Sequence, residues 1–176
     1  MPGGRIDTDR AFTALGIAVL TISDSRDSSS DTSGDLLAER IGAAGHLLRA
    51  RTLVRGDKSG IQRQARAWIE DPGIDVIISN GGTGLSSREV APEALREIFD
   101  RELEGFTVLW HVVSYETVGV STMQSRACAG IAGNTAIYVL PGSNGACRDG
   151  WDKLISLQLD SRHRPCAIVE LLRGRP

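Results

Sequence analysis

The chain has 176 residues, 41% of them hydrophobic and 24% charged, the profile of one soluble domain with enough core for three layers. A net charge of −2 excludes an electrostatic attraction to nucleic acid or to an anionic membrane. No apolar run reaches membrane-spanning length, and Cys128, Cys147 and Cys166 suggest neither a disulfide framework nor a zinc site, which suits a reduced cytoplasm.

In chain order, residues 1–13 read as a flexible N-terminal segment and 14–176 as a single domain. Gly16 to Ile22 is a buried strand that runs into a polar loop, Ser23 to Gly34. By composition alone that loop is a solvated connection, but its position argues otherwise. It follows a core strand and ends at Thr32 or Ser33, either of which suits the N-cap of a helix carrying Leu36, Leu37, Ile41 and Ala44, and hydroxyls beside a helix N-terminus suit an anionic ligand. Gly45 stops this helix, and Leu47 to Val54, interleaved with arginines, reads as a strand near the sheet edge. The next helix carries Ile61, Ala65, Trp68 and Ile69 on one face. Asp57, just before it, reads locally as a cap or turn residue.

Val76 to Ile78 is a short β-branched strand that delivers a glycine loop, Gly81-Gly82-Thr83-Gly84, and Pro92 suits the first position of the helix that follows. Arg101 to Gly105 reads as a polar turn. A further helix shows a core stripe of Leu109, Val112, Val113 and Glu116, with Trp110, His111 and Tyr115 on its other face. His111 is a packed or partner-facing residue without chemistry. Gly119 to Arg126 is a second hydroxyl-rich loop. Two apolar runs, 127–132 and 135–140, bracket Gly133-Asn134 as a hairpin, so the sheet is mixed. Leu140 to Gly145 is a third small-residue loop, and Trp151, Leu154, Ile155 and Leu159 place a last long helix on the core.

Glycines at 81, 82 and 84 let a ligand approach backbone N–H groups closely, as phosphate sites require. A Walker A loop would need Gly-Lys-Ser/Thr at its end, and a dinucleotide fingerprint a third glycine at Ser87. Neither is present. Thr83, Ser86, Ser87 and Arg88 add donors, while Glu89 and Glu93 add carboxylates able to hold a divalent cation. Three loops that each follow a β run gather at one edge of an α/β sheet, where such folds bind ligands. Residue pattern alone supports a site for a phosphorylated polar small molecule.

Gly81-Gly82-Thr83-Gly84 followed by Arg88-Glu89-Val90-Ala91-Pro92-Glu93-Ala94 resembles the signature of the MoaB/MogA molybdenum-cofactor family, which includes the corresponding domains of gephyrin and the plant Cnx proteins. Leu20 to Asp24 with Asp31-Thr32-Ser33-Gly34, Gly56-Asp57, Gln124-Ser125-Arg126 with Gly130-Ile131, and Leu140-Pro141-Gly142-Ser143 resemble its other motifs in order. The segment Gln158 to Cys166 looks more like the MoaB branch.

The resemblance implies an α/β, three-layer molybdopterin-binding fold with a mixed, mostly parallel sheet between helix layers, assembled as trimers or hexamers. It implies transfer of AMP from ATP to the terminal phosphate of molybdopterin, with Mg²⁺ present and pyrophosphate released. Carried over by position, Asp57 and Glu89 would be catalytic and hold Mg²⁺. Gly81, Gly82, Thr83 and Gly84 would cradle phosphate, and Asp24, Asp31, Ser33, Ser114, Ser125, Pro141, Gly142 and Ser143 would line the substrate pockets. Two positions depart from the pattern: Glu89 stands where most relatives have Asp, and Val139 where adenylating relatives often have Asn. The alternatives are a molybdopterin-binding protein with weak chemistry and a nucleotide-pyrophosphate hydrolase of the competence-damage type. A second acid after the glycine loop, usual in the latter, is missing from Ser86-Ser87-Arg88-Glu89.

Overall fold

Strands that are apolar along their whole length cannot leave either face to water, so they must be covered on both sides. The computed structural model, which describes residues 4–173, meets that demand. In order the elements are β1 (Arg5–Ile6), β2 (Gly16–Ile22), α1 (Thr32–Ala43), β3 (Leu47–Val54), α2 (Lys58–Ile69), β4 (Val76–Asn80), α3 (Ala91–Arg96), β5 (Arg101–Glu102) and α4 (Glu104–Val118). A 3₁₀ turn (Gly119–Gln124) leads to β6 (Cys128–Ala132), β7 (Thr135–Leu140), α5 (Asn144–Gly150), a π-helical turn (Trp151–Ile155), α6 (Ser156–Leu159), β8 (His163–Arg164) and α7 (Ile168–Arg173).

Six strands form the main sheet in the order β3-β2-β4-β7-β6-β5. The pairs β2/β3, β2/β4 and β4/β7 are parallel, whereas β6 runs antiparallel to β7 and to β5. Alternation along each buried strand divides one apolar run between two cores. Ile17, Val19, Val76, Ile78, Tyr138 and Leu140 pack under Leu37 and Ile41 of α1, Trp110 of α4 and Trp151. Ala18, Leu20, Ile77, Ile137 and Val139 pack under Ile61, Ala65 and Trp68 of α2 and Leu95 of α3. The expected mixed sheet between helix layers is therefore the observed architecture.

Several local expectations change. Asp31, rather than Thr32 or Ser33, caps α1, accepting from the Gly34 amide at 3.0 Å, because its carboxylate is also held by partners distant in sequence. Pro92 takes the second position of α3, after Ala91. Arg101 and Glu102 do not form a turn but pair with Ile131 and Gly130 as the edge strand. The buried face of α4 is rotated: Val113 of the expected stripe is buried and Tyr115 is exposed as expected, but Trp110 is 2% exposed while Leu109 and Val112 are each 55% exposed. Apolar side chains on both faces left periodicity with no preference, and the indole, with Nε1 donating to Ser125 Oγ at 2.7 Å, takes the interior. Residues 5–13, read from sequence as a flexible segment, have defined partners. Arg5 and Ile6 pair with β8, the Thr13 amide donates to Ser161 Oγ at 2.8 Å, and Arg10 pairs with Glu170. Residues 1–3 of that segment, and 174–176 of the expected domain, lie outside the described residues.

Candidate functional site

Parallel strands deliver their loops to one edge, and here β2, β4 and β7 end side by side. The three strand ends meet at backbone level. A Cβ on Gly81 would strike the Ile22 carbonyl oxygen, one on Gly142 would stand 2.9 Å from Gly81 Cα, and one on Gly82 would stand 2.8 Å from Ile22 Cγ2. Gly81 and Gly82 also hold φ of +88° and +63°, which side chains oppose. The glycines thus permit close packing as well as ligand approach. The amides of Gly82, Thr83 and Gly84 donate to nothing within the described residues.

Around this junction lies a cavity of about 390 Å³, lined by Ile22, Ser23, Asp24, Ser25, Arg26, Gly56, Gly81, Gly82, Thr83, Ser86, Arg88, Glu89 and Gly142. That volume is in the range of small-molecule sites. Two guanidiniums, two carboxylates and several hydroxyls face it. Asp24 Oδ1 accepts from the Gly56 amide at 2.9 Å, tying the loop after β2 to the loop after β3. Glu89 folds back on its own loop: its carboxylate abuts Gly84 and accepts from Ser86 Oγ at 3.3 Å. Asp57, next to Gly56, is exposed and caps α2, with Oδ1 accepting from Gly60 N at 2.7 Å and Ser59 Oγ at 2.8 Å. Those bonds hold its carboxyl below the ordinary range, so it is ionised at neutral pH.

Of the residues expected from sequence, Asp24, Gly81, Gly82, Thr83, Glu89 and Gly142 are brought together in the cavity. Asp31 and Ser33 are not at its surface. Both are buried in a polar row behind it, where Asp31 accepts from Thr21 Oγ1 at 2.7 Å and pairs with Arg51 at 2.8 Å. Ser143 caps α5, accepting from the Ala146 amide at 3.2 Å, and the Pro141 carbonyl accepts from Cys147 Sγ. Ser114 and Ser125 do not line this cavity; Ser114 is buried on α4 and Ser125 holds Trp110. Val139 is fully buried in the core under α2 and α3.

Three residues went unassigned in the sequence. Arg126 grips the glycine loop, with Nε donating to the Thr83 carbonyl at 3.1 Å, Nη2 to the Glu89 carbonyl at 2.5 Å and Nη1 paired with Glu93. Arg26 and Asn80 belong to the row that contains Asp31. Arg126 stood in a matched motif, so its importance could be guessed, but not the 43-residue separation it spans to Thr83.

A doubly covered, mostly parallel sheet with a glycine-turned polar cavity at the carboxyl ends of its strands is an α/β architecture of the kind that places small-molecule sites at that edge. Residues 18–161 match the family described as "Probable molybdopterin binding domain", and the chain belongs to that family. It is 44% identical over 155 residues to Molybdenum cofactor biosynthesis protein B of Escherichia coli strain K12, covering 88% of this chain and 91% of that one. The corresponding protein of Bacillus cereus is 40% identical over 142 residues, covering 80% and 84%. The fold matches a crystal structure of Molybdenum cofactor biosynthesis protein B with a TM-score of 0.83 at 38% identity, covering 85% of this chain and 94% of that one. It also matches the molybdopterin biosynthesis enzyme MoaB of Thermus thermophilus with a TM-score of 0.75 at 30% identity, covering 92% and 98%.

Asp31 yields a prediction in stability. Burial pushes its carboxyl pKa up, but hydrogen bonds from Arg51, Thr21 and the Gly34 amide outweigh that and hold it below the ordinary 3.8. A depressed folded-state pKa contributes stability above the unfolded value and loses it as pH falls toward the folded one. Asp31→Asn should therefore cost about 1–3 kcal/mol at pH 7. Urea unfolding at a series of pH values should show the gap from wild type closing below about pH 3.8; a gap independent of pH would contradict this.

Proposed function

We propose that the chain acts in molybdenum cofactor biosynthesis, binding molybdopterin and transferring AMP from Mg-ATP to its terminal phosphate with release of pyrophosphate. The supporting observation is the convergence of the loops after β2, β4 and β7 on one polar cavity with two guanidiniums and unused glycine-loop amides. In the proposed reaction the substrate phosphate attacks the α-phosphorus in line, so no enzyme nucleophile is needed and catalysis is positioning plus charge stabilisation. The amides of Gly82 to Gly84 would receive phosphate oxygens, Arg88 would offset charge as pyrophosphate leaves, and Arg126 would keep the loop in register.

Mg²⁺ would sit among the carboxylates at the edge of the cavity: Asp24 and Glu89 line it and Asp57 stands one residue beyond Gly56, while the described residues hold no group of three or more His, Cys, Asp or Glu side chains placed to bind a metal by themselves. Mg²⁺ characteristically takes one or two carboxylates and leaves its other positions to water and substrate phosphates. Asp57 and Glu89 would hold it, and the ion would supply charge neutralisation at the phosphates. A second reading, binding with little transfer, is favoured by the turn of the Glu89 carboxylate back onto Gly84 and Ser86.

We further propose a cytoplasmic protein assembled as a trimer or hexamer. No helix of the described residues is long and apolar enough to cross a membrane, yet Val108, Leu109, Val112, Tyr115 and Val118 of α4 and then Met123 are exposed together. A contiguous apolar patch of this kind marks an association surface. Light scattering at micromolar concentration should give the mass of three or six chains; a stable monomer would reject the assembly.

Purified protein supplied with molybdopterin, ATP and Mg²⁺ should form adenylylated molybdopterin. Asp57→Ala should lower turnover by about 100-fold or more with pterin affinity little changed. Glu89→Asp should maintain or raise it. Undiminished product from Asp57→Ala would remove the catalytic assignment, and no product from either wild type or Glu89→Asp would leave a binding protein.

A further inference from the structure

Behind the cavity wall a row of polar side chains runs unbroken from Arg51 to Arg26. Arg51 Nη2 donates to Asp31 Oδ2 at 2.8 Å, and Thr21 Oγ1 donates to the same oxygen at 2.7 Å. Asn80 Nδ2 donates to Thr21 Oγ1 at 3.0 Å, and Ser33 Oγ donates to Asn80 Oδ1 at 2.9 Å. Arg26 closes the row at the cavity, with Nη1 donating to Ser33 Oγ at 2.8 Å and Nη2 to the Gly142 carbonyl at 3.0 Å. Thr21, Ser33 and Asn80 are 0% exposed and Asp31 is 2% exposed, so water cannot substitute for a missing link without rearrangement.

The direction of every bond follows from chemistry. An ionised Asp31 only accepts, so the single Thr21 proton must point to it. Thr21 then receives from the Asn80 amide nitrogen, which turns the amide oxygen toward Ser33. The Ser33 proton goes to Asn80 Oδ1 at 2.9 Å, because the other acceptor in reach, Asp31 Oδ1 at 3.4 Å, lies beyond the ordinary O–H···O range. Its lone pairs are therefore left for Arg26. Strand register makes the row possible, because Thr21 of β2 and Asn80 of β4 are direct neighbours. A guanidinium has five N–H donors, and two are engaged by Ser33 and Gly142. The others remain for an oxyanion in the cavity that Arg26 lines.

We propose that Asn80 and Ser33 are positioning residues that carry the polarity set by Asp31 to Arg26, and that Arg26 so held is the guanidinium that takes a phosphate oxyanion of the substrate. Asp31 and Ser33 thus serve the site from behind it. This deepens the phosphate-transfer reading of the same cavity. It differs from a general scaffolding role in one respect: the effect of Asn80 and Ser33 on anion affinity passes entirely through Arg26.

A double-mutant cycle reads that difference. Calorimetry with inorganic pyrophosphate and Mg²⁺, with no nucleotide or pterin present, should show binding by wild type and a loss of about tenfold or more in Arg26→Gln. Asn80→Leu, close in volume but unable to hydrogen-bond, should lose a comparable factor. Combined with Arg26→Gln it should bind no more weakly than Arg26→Gln alone. Ser33→Ala, which removes only a hydroxyl, should give the same pattern and serves should Asn80→Leu fail to fold. Losses that multiply in the double variants, wild-type affinity in Ser33→Ala, or no pyrophosphate binding by wild type would each overturn the proposal. A failure of AMP transfer alone would show differently, as absent adenylylated product with the pyrophosphate cycle still non-additive, and would leave the Arg26 assignment supported.

Discussion

Three strand ends approach one another here more closely than side chains would permit. Gly142 rests on Gly81, and Gly81 on the carbonyl of Ile22, with each missing Cβ occupied by the next segment's backbone. Everything at the site follows from that contact. It draws the loops after β2, β4 and β7 together, and the two positive-φ glycines turn the chain sharply enough that the loop from Thr83 to Glu89 folds over the junction. A methyl group at Gly81 would strike the Ile22 carbonyl and separate the strands, so under the proposed function sterics at this position would couple fold to binding.

Around the junction, fixed charges are supported from the rear. Arg126 grips two carbonyls and one carboxylate of the glycine loop, and the row from Arg51 to Arg26 ties the first loop to β2 and β4. Both devices begin with an arginine whose charge is matched by a carboxylate, and both end at a cavity residue. Buried polar groups are costly unless every member is satisfied, and in the row each member is. In the proposed transfer such an arrangement would hold donors ready before substrate arrives, which is the main contribution a protein can make to a reaction between two phosphates.

Much of the fold was legible because the signal was strong. β2, β4 and β7 are continuous apolar runs, and Gly133 with φ of +57° turns the hairpin where Gly133-Asn134 suggested. The faces of α4 were not legible, since Leu109, Val112 and Trp110 compete for the core and periodicity cannot rank them. The edge strand at Arg101 and Glu102 is too short and too polar to carry a pattern. In the site, the glycine loop announced itself through composition. Asp31 and Ser33 were found as members of a motif, yet their inward orientation depends on Thr21 and Asn80, residues distant in sequence that meet only through strand register. Arg26 sat unremarked in a loop whose composition read as solvent.

The proposed anion site at the strand-end junction is tested most directly by backbone amide NMR during titration with Mg-ATP. Shifts should concentrate at Gly81 to Gly84, at Ser23 to Arg26 and at Gly142, leaving the far ends of the same strands unmoved. Shifts confined to any other surface, or none at saturating nucleotide, would contradict it.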